Sequence, residues 1–213
     1  MTAVIELKNV TKSYKGNLLF DAVDLTVPQG RIVGIVGPNG SGKSVLFKMM
    51  CGFVFPDHGE VYVEEKQIGK EQRFPEGVGM IIDRPGYIAN KTGFENLKEL
   101  AQIQNQIDEE RIRKTMLILG LNPDNSQKVK NYSLGMKQKL AIAQAIMENQ
   151  HILILDEAFN ALDHDSVESL RELLLAFREE GKTIVMTSHN QEDIDYLCED
   201  VYRINRGKLE KIV

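Results

Sequence analysis

The chain has 213 residues, 42% hydrophobic and 27% charged, an ordinary mixture for one folded domain that argues against a disordered chain. Lysine and arginine number 26 against 31 aspartates and glutamates, a formal net charge of −5, which makes wrapping of nucleic acid by charge alone a poor reading. The longest stretch without charged side chains, Ile32–Gly42, falls far short of the roughly 18–20 apolar residues of a membrane-crossing helix.

In chain order, Ile5 and Leu7 flank Glu6, and Val23, Leu25 and Val27 alternate with polar residues, both at the period of a strand. Pro28-Gln29-Gly30 turns the chain into Ile32–Val36, an apolar run expected of a strand covered on both faces. A glycine-rich loop follows, then a helix from about Lys43 that Gly52 caps. After the turn Pro56–Gly59, Glu60–Val63 reads as a strand. Thr92 and Glu95 form a capping box opening a helix with Phe94, Leu97 and Ala101 on one face. Asp108 caps a second helix, with Ile112, Met116 and Leu119 on its apolar face, stopped by Gly120 and Pro123. A third helix begins near Leu134 and runs through Leu140–Met147. Alternation then resumes: strand Ile152–Leu155, helix Ser166–Glu180, strand Thr183–Thr187, a short helix, and a hairpin around Asn205-Arg206-Gly207. Strands and helices alternating at both ends, with helices inserted between, predict an α/β core carrying a helical lobe. Cys51 and Cys198 have no CxxC spacing and sit among apolar residues, as expected of free thiols in a reducing compartment; a disulfide or metal site is the less favoured reading. No charged-then-apolar leader signals secretion, so the expected location is the cytosol.

Gly37-Pro38-Asn39-Gly40-Ser41-Gly42-Lys43-Ser44 fits G-x-x-x-x-G-K-[ST], which arises by chance about once in 25,000 positions. Glycines let backbone N–H groups close around a polyphosphate, and the helix that follows adds the partial positive charge of its N-terminus. Lys43 supplies a mobile full charge for β- and γ-phosphates, and Ser44 a hydroxyl for Mg²⁺. Ile152-Leu153-Ile154-Leu155-Asp156-Glu157 is a buried strand ending in two carboxylates. Asp156 stands where a strand-end acid holds Mg²⁺, usually through water, and Glu157 is free to orient and deprotonate a water. Apart from the loop, two acids ending a strand are unremarkable; together they read as a nucleotide-hydrolysing site.

These residues resemble the nucleotide-binding subunits of ATP-binding cassette (ABC) transporters over essentially the whole chain. Tyr14 matches the aromatic position that stacks on adenine, and Ser133-Leu134-Gly135-Met136-Lys137-Gln138 stands where the family has its signature. Asn160-Ala161-Leu162-Asp163 matches the loop that crosses the dimer, and His189 the switch histidine. Independently of the family, Ser133 is a good N-cap and Gly135 leaves amides open at a helix start, which makes an anion site. The resemblance implies a P-loop NTPase (RecA-like) α/β core with an antiparallel β lobe, about residues 1–82 and 150–213, and an inserted α-helical lobe, about 84–149. It implies ATP and Mg²⁺ as cofactors and a head-to-tail dimer, homo- or heteromeric, in which Ser133, Gly135 and Asp163 complete the other chain's site. It also implies an integral membrane permease that moves the solute, with the chain held at the inner face of the cell membrane through it, and no nucleic-acid partner.

Two positions depart from the family. Asp83 stands where Gln is usual; its carboxylate is expected to face Mg²⁺ or the water, at the cost of negative charge beside phosphates. Ala158 replaces the usual Pro after the acid pair. The acid followed by x-Pro-Gly-Tyr, with Ser-Leu-Gly-Met-Lys-Gln, looks like the bacitracin-resistance and lantibiotic-immunity exporters. The permease's cytoplasmic helix is then expected near Asp83–Tyr87. The alternative is a soluble ABC-type ATPase acting on ribosomes or DNA, against which stand the single cassette, the negative charge and the absence of long insertions. A P-loop kinase lacks the signature and the switch histidine, and intact Lys43 and Glu157 argue against a non-catalytic regulatory subunit.

Overall fold

A computed structural model describes residues 2–14, 16–83 and 86–213. Among these, two sheets form. The first is antiparallel, in the order β2 (Asn17–Pro28), β1 (Ala3–Tyr14), β4 (His58–Val63), β5 (Lys66–Gln67). The second runs β10 (Lys208–Lys211), β9 (Asp200–Asn205), β3 (Ile32–Val36), β8 (Thr183–Met186), β7 (Ile152–Leu155), β6 (Val78–Ile81). Its strands are parallel except for the β9–β10 hairpin.

The central strands β7 and β8 are buried at every position, which is why they read as unbroken apolar runs. Their alternating side chains feed two cores. Ile152 and Ile154 join Val33, Ile35 and Val185 against the antiparallel sheet and α1 (Lys43–Met50), whose Leu46, Phe47, Met49 and Met50 are fully buried. Leu153, Leu155, Ile184 and Met186 pack on the other face against α4 (Leu134–Ile146), α5 (His164–Glu179) and α6 (Gln191–Leu197). A third core lies among α2 (Gly93–Gln104), α3 (Glu109–Ile118) and α4, around Leu97, Ile112, Met116 and Leu140. Helix α4 therefore buries two faces, Ala141, Ile142, Ala145 and Ile146 toward the sheet and Leu140, Ala143 and Met147 toward the other helices. That double burial is the physical origin of its continuous apolar stretch.

The expected caps form. Thr92 and Glu95 make the reciprocal capping box of α2, and Asp108 and Ser133 accept from Arg111 and Met136 amides at the starts of α3 and α4. Helix α5 starts two residues before the expected Ser166, because Asp163 is its N-cap and accepts the Ser166 amide at 2.9 Å. Strand β4 starts at His58 rather than Glu60. Strand β6 carries no signal in the sequence: it is four residues long, at the sheet edge, with Gly79 inside. That glycine is required, since a Cβ there would lie 1.9 Å from the Ala145 carbonyl oxygen of the crossing helix α4. Cys51 and Cys198 are free, and burial pushes both thiols up to about 12. Among the described residues no helix is long and apolar enough to cross a membrane.

Candidate nucleotide site

The C-terminal ends of the parallel strands β3, β7 and β8 open onto one cleft, as ligand sites do in open α/β sheets. Its walls carry Asn39, Gly40, Gly42, Lys43 and Ser44 from the loop between β3 and α1, Asp156 and Glu157 from the end of β7, and His189 beyond β8. Tyr14, at the end of β1 and 53% exposed, closes the outer side with Leu19.

The loop is shaped to leave donors open. Gly42 is the residue before α1, at φ 105, and no side chain caps that helix, so its first amides point at the cleft. A Cβ at Gly42 would meet the Phe20 ring at 2.8 Å, so the loop needs glycine for both conformation and space. Lys43 Nζ donates to the carbonyls of Gly37 (2.8 Å) and Pro38 (3.3 Å), folding back over the loop it belongs to. The Ser41 amide donates to the Pro38 carbonyl, while the buried Ser41 Oγ has no hydrogen-bond partner. An uncapped helix start, a lysine and a buried orphan hydroxyl together fit an anion such as a polyphosphate.

Ser44 Oγ donates to Asp156 Oδ2 at 2.5 Å. This hydroxyl–carboxylate pair fits Mg²⁺, which keeps most of its shell as water and phosphate oxygens and takes few protein ligands. Asp83, expected at the metal, is placed elsewhere: its carboxylate pairs with Lys48 at 2.5 Å, in the neighbouring cleft lined by Phe53, Met80 and Gly86.

Glu157 sits at φ 56, a strained conformation for a residue with a Cβ, and its side chain faces His189. Its Oε2 accepts the His189 amide at 3.1 Å, and its Oε1 is buried with no hydrogen-bond partner, 3.4 Å from His189 Nε2. Burial pushes the carboxyl above the ordinary glutamate range and Asp156 adds to this, while His189 and Lys43 pull the other way. A carboxyl raised by burial, with one oxygen free of hydrogen bonds, is suited to accept a proton from water.

Thr187, marked in the sequence only as the end of a strand, organises the acid pair. Its hydroxyl donates to Asp156 Oδ1 (2.8 Å) and accepts the Glu157 amide (2.9 Å), and it is fully buried. Thr187→Val leaves that amide unsatisfied at a cost of about 1–3 kcal/mol. The expected result is a drop in steady-state ATPase rate of about tenfold, with Thr187→Ser retaining the rate. Next to it, Ser188 Oγ donates to Asp193, which Arg171 holds from α5. That chain anchors the turn bearing His189. A strand-end Thr-Ser before the histidine is the one trace of this in the sequence.

The remaining expected residues lie apart from the cleft. Ser133 caps α4 and is exposed beside Leu134, which is 71% exposed. Gly135 lies against the loop after the acid pair, where a Cβ would come 2.8 Å from the Ala161 carbonyl. Gln138 Nε2 donates to the Ala158 carbonyl at 2.9 Å, tying the same helix to that loop. Asp163 is exposed and engaged as the α5 cap, whose hydrogen bonds from Ser166 hold its carboxyl below the usual range. Of the segment Asp83–Tyr87, Arg84 and Pro85 lie outside the described residues.

A phosphate loop, a serine–aspartate pair and an adjacent glutamate at the C-terminal edge of a parallel sheet define a P-loop nucleoside triphosphatase, here joined to an antiparallel sheet and a cluster of helices. The model of the ABC transporter family matches residues 20–160. An uncharacterised ABC transporter ATP-binding protein, YybJ of Bacillus subtilis (strain 168), is 39% identical over 97% of this chain and 95% of its own length. The bacitracin transport ATP-binding protein BcrA of Enterococcus faecalis is 36% identical over 98% of this chain and 68% of its own length. A dimeric ATP-binding cassette in a post-hydrolysis state with ADP and Pi superposes with a TM-score of 0.85, at 25% identity over 98% of this chain and 99% of that one. The chain belongs to the ABC transporter family, as an ATP-binding subunit that hydrolyses ATP with Mg²⁺. Nothing in these matches favours a ribosome- or DNA-acting relative.

Proposed function

We propose that two such chains close around ATP at the cytoplasmic face of a membrane and drive export of a peptide antibiotic or similar amphipathic compound through a separate permease. The observation that carries the two-chain reading is that Ser133 is exposed, with Gly135 half-buried beside it, and that neither lines the cleft of its own chain. The chain thus has a second anion-binding helix start with no anion of its own to serve. Facing a partner, it meets the γ-phosphate held by the partner's loop, with the Ala161–Asp163 loop alongside. The cargo class rests on likeness to BcrA, a bacitracin transport protein by name.

Within each site, Tyr14 stacks the adenine, and Gly37–Ser44 hold the phosphates, with Pro38 and Asn39 shaping the turn and Gly40, Ser41 and Gly42 presenting donors. Ser44 and Asp156 hold Mg²⁺, which when bound neutralises charge on the phosphate oxygens. Glu157 orients a water and takes its proton, and His189 steadies water and γ-phosphate. Lys43 stabilises the charge that builds on the transferring phosphoryl group.

Permease docking is supported by the apolar cleft beside Asp83, with Phe53 exposed at its rim and Ile88 exposed a few residues further along the chain. Cysteines at Phe53 or Ile88 in native membranes are expected to crosslink to one multi-span protein. Capture of ribosomal proteins, or no membrane protein at either position, contradicts the docking site.

A further inference from the structure

Strands β6 and β7 are parallel neighbours, with Ile81 opposite Leu155 and the Asp156 amide donating to the Ile81 carbonyl at 2.7 Å. Asp83, two residues past Ile81, therefore leaves the sheet beside Asp156, on the edge where the nucleotide cleft opens. Helix α1 meets both strand ends. Ser44 in its first turn bonds Asp156, and Lys48, one turn further along the same face, pairs with Asp83 at 2.5 Å. The two contacts form parallel rungs between the helix that follows the phosphate loop and two adjacent strand ends. Asp83 is at φ 57, so its backbone is held in a strained turn at that point. Beyond the undescribed pair of residues, Tyr87 OH donates to the Lys137 carbonyl of α4 at 2.6 Å. The segment leaving β6 is thus tethered to the phosphate-loop helix at one end and to the signature-bearing helix at the other.

We propose that Lys48 is a positioning residue that holds the Asp83 carboxylate off the Mg²⁺ and phosphates and neutralises it, so that this site tolerates an acid beside the nucleotide. The proposal rests on the ATP-site assignment above and concerns its regulation. Both partners are partly exposed, with side chains 31% and 57% accessible, so the pair contributes little to folding stability. Its effect is on charge placement. Without Lys48, the carboxylate at the strand end next to Asp156 is uncompensated, and like charge on that side of the cleft weakens polyphosphate binding.

The test is the dissociation constant for Mg-AMP-PNP, measured by calorimetry, which needs no turnover. Lys48→Met is expected to weaken binding about three- to tenfold, with an unchanged thermal melt. Lys48→Arg keeps the pair and the affinity. Asp83→Gln alone binds no more weakly than wild type, and Lys48→Met with Asp83→Gln returns to within about twofold of it. A double variant as weak as Lys48→Met shows that Lys48 attracts the nucleotide by its own charge, and overturns the proposal. Weakening by Asp83→Gln alone makes Asp83 a metal ligand, and overturns it too. Binding by wild type tests the ATP-site assignment itself, and its absence contradicts both.

Discussion

Glu157→Gln is expected to lower MgATP turnover by about 10²–10⁴-fold, the range set by removing a general base, while nucleotide still binds. Glutamine has the same shape and still offers an oxygen to the His189 amide, which now holds Oε2 at 3.1 Å. It cannot take a proton. The contacts that hold phosphate and Mg²⁺, from Lys43, Ser44 and Asp156, are untouched, and one negative charge beside the phosphates is gone. With binding intact and hydrolysis stopped, the closed pair of chains accumulates, visible as a doubled mass by light scattering in MgATP. Wild-type turnover in this variant overturns the role of Glu157. The same chemistry sets the acid side of the pH profile. The base works ionised, and burial raises its pKa, so activity falls on acidification at a pH above the ordinary glutamate range. A profile whose acid limb matches an exposed glutamate contradicts the buried base.

Lys43→Met is expected to raise the dissociation constant for MgATP about 10- to 100-fold, as loss of a charged hydrogen-bond donor does. Lys43 Nζ now donates to the Gly37 and Pro38 carbonyls, so it both braces the loop and holds a full positive charge over it. Methionine keeps the stem and removes the charge. The fold does not depend on it, because α1 is anchored from its opposite face by Leu46, Phe47, Met49 and Met50. The melt of the nucleotide-free protein therefore stays put while its stabilisation by MgATP shrinks. Unchanged MgATP affinity removes Lys43 from the site.

Much of this was legible in the residues, for local reasons. Caps at Thr92, Asp108 and Ser133 depend on a side chain and an amide three residues on, so the pattern lies within one turn of sequence. The unbroken runs of β7 and β8 declare strands buried on both faces. Strand β6 is not legible, because Gly79 answers to a helix carbonyl from a residue far along the chain. The residues gathered in the cleft follow from the phosphate loop and acid pair, each a contiguous motif. Thr187 bridging Asp156 and Glu157, and Lys48 claiming Asp83, join elements 31 and 30 residues or more apart in sequence, and no local pattern encodes such pairings. The helix start at Asp163 illustrates the converse: an aspartate read for the interface is also the best local N-cap.

The central claim is that each ATP site is built from two chains, one giving Lys43 and Glu157 and the other Ser133 and Gly135. It is tested by mixing two inactive variants, Lys43→Met and Gly135→Asp, and measuring ATPase rate. A mixed pair holds one intact site, so random pairing is expected to restore about a quarter of wild-type activity. A mixture as inactive as its components, at concentrations where wild type turns over and pairs, contradicts the shared site.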